Sequence, residues 1–287
     1  MTPKRIVLLG GSGQIGRPSL QHLIEQFPDA QVVGSSRSAP TGDIPPQHWM
    51  QFDPFKDEWG RLGRADVLIN CIGQIREEQL SFADIHLGLT QKILTHRVQL
   101  GMPRIIQLSA LGAGQHPNVP FLATKAQADA LLLKETDTYV VRPSIVWTPN
   151  TMLLRKLRQL LRISRWLLGH LFVPEGFLQA SVQPIQIDPL THVMAALCKG
   201  LPSVRIIDAV GPRPQSFGEL LETERQQQSQ NLRIHEIPRQ WLDPLVLGFV
   251  ARFFPGIINA DQYQLLFADN VGDPSKMEAL LSGSHSS

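Results

Sequence analysis

Tyrosine is nearly absent from this chain: there are 2 in 287 residues, Tyr139 and Tyr263. Chemistry that needs a phenol has only those two places to find one. Cysteine is equally scarce, and Cys71 and Cys198 lie far apart inside apolar stretches. They form no CxxC or Cys/His cluster, so no metal centre is expected, and buried free thiols in a reducing compartment are. An excess of one charge is also missing. A formal net charge of +2, with no basic patch interleaved with aromatics, excludes nucleic acid as the expected partner. Long hydrophobic runs are lacking as well. Ile6–Leu9 ends at Gly10, too soon for a secretory signal. Leu245–Ile258 is interrupted by Gly248, Arg252 and Pro255, short of the roughly 20 apolar residues a spanning helix needs. Neither export nor insertion is expected, and the expected location is the cytoplasm.

What is present is an alternation. Ile6–Leu9, Gln31–Ser36, Val67–Cys71, Arg104–Leu108 and Tyr139–Val141 are apolar runs of strand length, with a further strand near Trp49–Phe52. Between them lie segments of helical periodicity such as Ser81–Leu100 and Ala123–Lys134. The pattern predicts an α/β fold, a doubly wound parallel sheet covered on both faces, with a smaller, mostly helical C-terminal lobe. We expect a core over residues 1–145, a substrate or partner lobe over 146–281 and a disordered tail, Ser282–Ser287. In the lobe, Thr151–Phe172 reads as one long helix, Pro189–Lys199 as a shorter one and Val204–Val210 as a late strand.

Gly10-Gly11-Ser12-Gly13-Gln14-Ile15-Gly16 follows the first strand and opens a helix, the context a dinucleotide loop requires. Its glycines permit a tight turn and let backbone N–H groups approach a pyrophosphate, which the positive end of the helix dipole favours. Alone, such a loop is equally an ordinary turn, but four later features fall at matching intervals. Ser35-Ser36-Arg37 ends the second strand, about twenty residues on, where an acid would bind a ribose 2′-hydroxyl. A guanidinium there pairs with a 2′-phosphate instead, favouring NADP(H) over NAD(H), unless Arg37 is merely a solvated surface residue. Asp53 is placed to accept from an adenine amino group, or to serve as a turn aspartate. Asn70-Cys71-Ile72-Gly73 closes the fourth strand, with a glycine that allows close approach. Ser109 follows the fifth strand and Lys125 lies on the next helix; their plainer readings are a strand-end cap and a solvated helix residue.

In this order the residues resemble the extended and atypical short-chain dehydrogenase/reductase superfamily over nearly the whole chain. More narrowly, Asn70–Gly73, His86-Leu87-Gly88, Leu108–Ala113, Thr124-Lys125-Ala126, Arg142-Pro143-Ser144 and Asp261–Val271 are similar to the NADPH-binding accessory-subunit family of respiratory complex I and its bacterial relatives. The resemblance implies a Rossmann core, a nicotinamide nucleotide, a serine at Ser109 that orients a substrate oxygen, and a lysine at Lys125 that holds the nicotinamide ribose. It also implies backbone contacts from Pro143 and Ser144, a capping role for Asp188, and a tyrosine four residues before Lys125. That position is Phe121. A phenyl ring cannot pass a proton, and general acid–base help is worth about 10²–10⁴ in rate. Orthodox carbonyl reduction is therefore expected to be crippled, while Lys125 can still bind ribose. A working NADPH-dependent oxidoreductase, or a nucleotide-sugar epimerase or dehydratase relative with another proton donor, is the alternative. His86 is expected to be a packed or surface histidine.

From Met152 to Leu168 a helical projection gathers Leu153, Leu154, Leu157, Leu160, Leu161, Leu167 and Leu168 on one side. Arg155, Arg158, Arg162 and Arg165 lie opposite, with Trp166 near the boundary and no acid among them. Such a helix suits an anionic membrane surface or the groove of a membrane protein complex, and equally a core helix with a solvated charged side. Trp241–Phe254 is a second apolar segment of this lobe.

Overall fold

The computed structural model describes residues 2–38, 44–77, 79–148, 151, 155, 157–159, 161–162, 169–200, 202–227, 232–246, 260–267 and 269–284. Two compact units share them. The first is Met1–Pro143 with Ile185–Val210 and Gly272–Ser287; the second is Ser144–Pro184 with Gly211–Val271. The single cut expected after residue 145 is thus replaced by two returns of the chain. The returns bring back an edge strand and two helices that the first unit's sheet needs for cover.

Among the described residues that sheet has seven strands: β1 (Arg5–Leu9), β2 (Gln31–Ser36), β3 (Trp49–Gln51), β4 (Val67–Asn70), β5 (Arg104–Leu108), β6 (Thr138–Pro143) and β7 (Ile206–Ala209). Their order is β7-β6-β5-β4-β1-β2-β3, and every pairing is parallel. This is the doubly wound α/β sheet that the sequence predicts. The strands are near-continuous apolar runs because both faces are covered: all four residues of β4 are buried, as are the last four of β1 and of β5. The order reverses between β1 and β4, and in such sheets the crevice beyond the carboxyl ends of the strands at that switch is where ligands bind.

The helices of this unit are α1 (Gly16–Gln26), α2 (Leu89–His96), α3 (Pro120–Leu132), α4 (Ile187–Lys199) and α5 (Ser275–Ser284). A six-residue π-helical turn, Ala83–Gly88, runs into α2. It begins at a reciprocal cap: Ser81 Oγ donates to Asp84 Oδ2 at 2.6 Å, and Asp84 N donates to Ser81 Oγ at 3.1 Å. α3 starts three residues before the expected Ala123, because Pro120 takes the first helical position, where a missing N–H costs nothing. α5 carries helix to Ser284, so residues 282–284 of the expected tail are ordered; 285–287 lie outside the described residues. Asp188 does not cap α4: the cap position is Gln186 and Asp188 sits in the first turn, where its charge favours the helix dipole.

In the second unit Leu157 and Leu161 are buried with Leu171, Val173, Phe177 and Phe217, the last two rings stacked at 4.9 Å. Arg158, on the same helical stretch, pairs with Glu224 at 2.9 Å. The described leucines of the expected basic helix therefore serve their own core; its remaining leucines, Arg165 and Trp166 lie outside the described residues. The helix does not reach Phe172. Gly169 stands at φ +82°, and His170–Pro174 is a strand paired in parallel with Arg233–Ile237. The alternating burial of His170–Pro174 gives the period of two that a helix lacks. Of Trp241–Phe254, the residues from 247 onward lie outside the described residues. Among the described residues no helix is long and apolar enough to cross a membrane.

Candidate functional site

The switch-point crevice of the first unit is built around Gly10. Its backbone, at φ +83°, turns the chain off β1, and the N–H groups of Gly10 and Gly11 both donate to Ser35 O, at 2.8 and 2.9 Å. Gly13 N then donates to Gly10 O at 3.0 Å, closing the loop into α1. A methyl group at Gly16 would stand 2.1 Å from Gly10 O, so only glycine lets the helix start this close to the strand. Ser12, Gly13 and Gln14 form the exposed tip, and Ile15 precedes the helix without a side-chain cap. The first turn of α1 holds no acid and does hold Arg17. A cation at a helix N-terminus opposes the macrodipole by about 0.3–1 kcal/mol, a cost that a bound anion would reverse. The cradle fits a pyrophosphate: a positive dipole end, an arginine, and no room for a side chain at Gly16. Arg17 is a feature the sequence reading missed; a basic residue where acids are preferred was the available signal.

Arg37 is exposed beyond β2, and among the described residues no carboxylate pairs with its guanidinium. Its carbonyl accepts from Gln51 Nε2 at 2.8 Å, fixing the backbone there. Asp53 follows β3, with Oδ1 accepting from Phe55 N at 2.9 Å. It closes a local turn with that oxygen. Asn70 is buried at the end of β4, donating to Gln107 Oε1 at 2.9 Å and accepting from Ile72 N at 3.0 Å. That pair of bonds sets the path of Cys71, Ile72 and Gly73 past Gly10. Cys71 N donates to Leu9 O, and burial pushes its thiol up to about 12, with Lys125 pulling weakly the other way.

Lys125 is 4 % exposed on α3 and donates to Leu108 O at 2.9 Å. Its ammonium would stand 3.2 Å from a methyl at Gly73, which places it beside the end of β4. Burial lowers its pKa to about 8; Asp129, and then Cys71, oppose that shift. The solvated-helix reading of Lys125 fails on this burial. Ser109 is also buried, but its hydroxyl donates to Asp129 Oδ2 at 2.9 Å, under α3. The same carboxylate oxygen accepts from Arg142 Nε and Nη2, both at 3.0 Å, while Oδ1 is buried without a partner. Burial raises the pKa of Asp129 despite Arg142 and Ser109. Asp129 was not foreseen, though it stands four residues past Lys125 on one helix face, the spacing at which side chains meet.

Phe121 is half-buried, edge-on to Phe82 (5.7 Å) and to His86 (5.5 Å), and His86 in turn stacks on Phe82 at 5.6 Å. The seat expected for a phenol is part of an aromatic cluster. His86 projects from the π-helical turn, is 1 % exposed, and shares a 2.8 Å hydrogen bond between Nδ1 and Thr124 Oγ1. Burial first, and the charge of Lys125 second, lower its pKa to about 3, so it is neutral near pH 7. Its Nε2 is buried without a hydrogen-bond partner. Pro143 closes β6, and its carbonyl accepts from Leu111 N at 2.9 Å. Ser144 belongs to the second unit, where its hydroxyl donates to Asn270 Oδ1 at 2.5 Å. The structure thus gathers Gly10–Gly16, Arg37, Asn70–Gly73 and Lys125 around the crevice, and commits the hydroxyls of Ser109 and Ser144 to partners of their own.

No family model matches the chain. The mitochondrial 40 kDa subunit of NADH-ubiquinone oxidoreductase from Neurospora crassa is 22 % identical over 277 residues, 93 % of this chain and 72 % of that protein. A nucleoside-diphosphate-sugar epimerase from Staphylococcus aureus shares the fold at TM-score 0.72 and 12 % identity, covering 97 % of this chain and 95 % of that one. UDP-glucuronic acid 4-epimerase from Bacillus cereus, solved with UDP-glucuronic acid and NAD, does so at TM-score 0.71 and 14 % identity, over 97 % and 93 %. The chain has the Rossmann-type fold of these extended short-chain dehydrogenase-like enzymes, as the resemblance in its motifs implied.

Proposed function

We propose that this protein is an NADP(H)-binding homologue of the extended short-chain dehydrogenases that has lost their chemistry and uses the bound nucleotide as a structural or redox-sensing element, associated with a membrane complex. The joint state of Phe121 and Ser109 carries the reading: a ring without a hydroxyl stands four residues before Lys125, and the serine hydroxyl is held by Asp129 at 2.9 Å. Neither group is left to move or orient a proton on a substrate oxygen. The grip is intact by contrast. Gly10–Gly16 and the first turn of α1 would hold the pyrophosphate, Arg37 the 2′-phosphate and Lys125 the nicotinamide ribose. When bound, the nucleotide would supply a hydride donor; the chain's own residues bind and orient it. A nicotinamide dinucleotide is supported by the NAD-bound epimerase that shares the fold. Association with a complex is supported by the N. crassa relative, a subunit of NADH-ubiquinone oxidoreductase.

A working epimerase, dehydratase or reductase with a different proton donor is the second reading, favoured by fold neighbours solved with UDP-sugars and NAD. Gentle purification followed by denaturation separates the two. Release of NADP(H), with no NADPH oxidation across a carbonyl panel and no conversion of UDP-sugars, agrees with the proposal. Rapid turnover supports the second reading. An empty protein showing no thermal shift with NADPH overturns both.

A further inference from the structure

In the second unit two imidazoles face each other on the solvent side of a short ladder. His170 begins the strand His170–Pro174 and His235 lies on its parallel partner, Arg233–Ile237. The Nδ1 of His170 and the Nε2 of His235 are 2.7 Å apart. The rings are nearly parallel, 21° between planes with centroids at 4.9 Å. Phe172, opposite His235 in the register, stacks against that ring at 5.2 Å and is itself 49 % exposed. Leu171 and Val173, on the other side of the same strand, are buried in the unit's core. The ladder is therefore pinned from behind and the imidazoles are presented in front.

We propose that His170 and His235 form a two-histidine site for a divalent transition cation of the zinc, nickel or copper class. An imidazole N–H···N bond on an exposed face competes with water and contributes little to the fold. Two sp² nitrogens on one rigid face offer a chelate. Imidazole binds these ions at about 2.0–2.1 Å, so two ligands on one ion stand roughly 2.9 Å apart at a right-angled site and roughly 3.4 Å at a tetrahedral one. The observed separation needs to open by only a few tenths of an ångström, which a small turn of either ring provides. Among the described residues no group of three or more histidine, cysteine, aspartate or glutamate side chains gathers anywhere, so water completes the coordination here. Arg233, opposite His170 in the register, puts a cation on the same ladder and weakens the site. Removing its charge tightens binding. The thiols of Cys71 and Cys198, both pushed up to about 12 by burial, are poor competitors.

The experiment is equilibrium dialysis of the full, untagged chain against Zn²⁺ and, separately, Ni²⁺, with His170→Gln, His235→Gln and Arg233→Gln beside it. Circular dichroism checks each variant, and zinc K-edge absorption reads the ligand shell of the parent. One ion per chain is expected, lost in either histidine variant, retained more tightly in Arg233→Gln, and bound through imidazole nitrogen. His22→Gln is the control, because among the described residues His22 and His192 are a second pair of close imidazoles, with centroids at 4.3 Å. Loss of the ion in that variant, an ion retained in both His170→Gln and His235→Gln, a shell without imidazole, or no ion bound by the parent would each overturn the proposal.

Discussion

The hydroxyl of Ser109 points at Asp129, 2.9 Å from Oδ2, and not into the crevice that its neighbours line. The serine thereby belongs to the packing of α3 on the sheet. Removing Asp129 leaves Arg142 and Ser109 facing a buried gap. Breaking a buried ion pair by deleting one partner costs about 3–5 kcal/mol, so Asp129→Ala lowers the urea midpoint sharply. Ser109→Ala loses one hydrogen bond to a charged group, about 1.5–3 kcal/mol. Neither is expected to change NADPH affinity measured on the folded fraction by calorimetry. A large loss of affinity in Ser109→Ala with little change in stability would return Ser109 to the crevice.

Phe121→Tyr tests whether the phenol is all that is missing. The half-buried ring edge packs on Phe82 and His86, and the substitution adds one oxygen at a seat next to Lys125. With the serine hydroxyl still committed to Asp129, NADPH-dependent carbonyl reduction stays at the parent level in a spectrophotometric assay. A gain of about 10²–10⁴, the usual worth of general acid help, would reveal a latent enzyme.

Substitution at Arg37 tests the preference between the two dinucleotides. Arg37→Glu replaces a donor for a 2′-phosphate with a repelling charge and gives a 2′-hydroxyl an acceptor. Losing one charge-assisted contact costs about 1.5–3 kcal/mol, roughly a tenfold to hundredfold drop in NADPH affinity, while NADH binding improves. Titration of tryptophan fluorescence with each nucleotide measures it. Equal affinities in parent and variant would make Arg37 a solvated surface residue.

Acid should weaken the fold through His86. Its folded pKa, about 3, lies below the ordinary 6.5, so the unfolded chain binds the proton first. The stabilising contribution is fully present above about pH 6.5 and is lost as pH falls toward 3. At pH 4.5 the loss is about 2–3 kcal/mol. His22, lowered by burial and by His192, acts in the same direction. Urea unfolding at pH 7 and 4.5 should show a smaller pH effect in His86→Phe, which keeps the aromatic stack with nothing to protonate. An unchanged difference would mean that His86 is already solvated.

The sheet was legible because it is buried on both faces, and the apolar runs of β1, β4 and β5 show that directly. The glycine loop was legible because its spacing encodes a steric demand. What escaped was set by contacts between distant segments. Asp129 looks like any helix aspartate until Arg142 and Ser109 fold onto it. The strand from His170 was hidden by leucines and arginines that extend a helical period into it, and only its pairing with Arg233–Ile237 overrides that pattern. The interleaving of the two units rests on the same cause. β7 declares itself as the sheet's edge only through its register with β6.

The loop itself separates folding from binding at two glycines three residues apart. A methyl at Gly16 would meet Gly10 O at 2.1 Å, far inside contact distance, with strand backbone on the other side that cannot move. Gly16→Ala must therefore push α1 off β1, and it should lose both several degrees of Tm and all measurable nucleotide binding. A methyl at Gly13 meets the same oxygen at 3.2 Å, on the exposed tip, where a small shift relieves it. Gly13→Ala should keep the parent stability within about 0.5 kcal/mol, as surface changes do, and still weaken NADPH, because the added carbon would sit where a pyrophosphate is expected to approach the backbone. Differential scanning fluorimetry with and without NADPH reads both quantities. If Gly13→Ala binds as the parent does, the phosphates do not lie on this loop and the crevice is not a dinucleotide site.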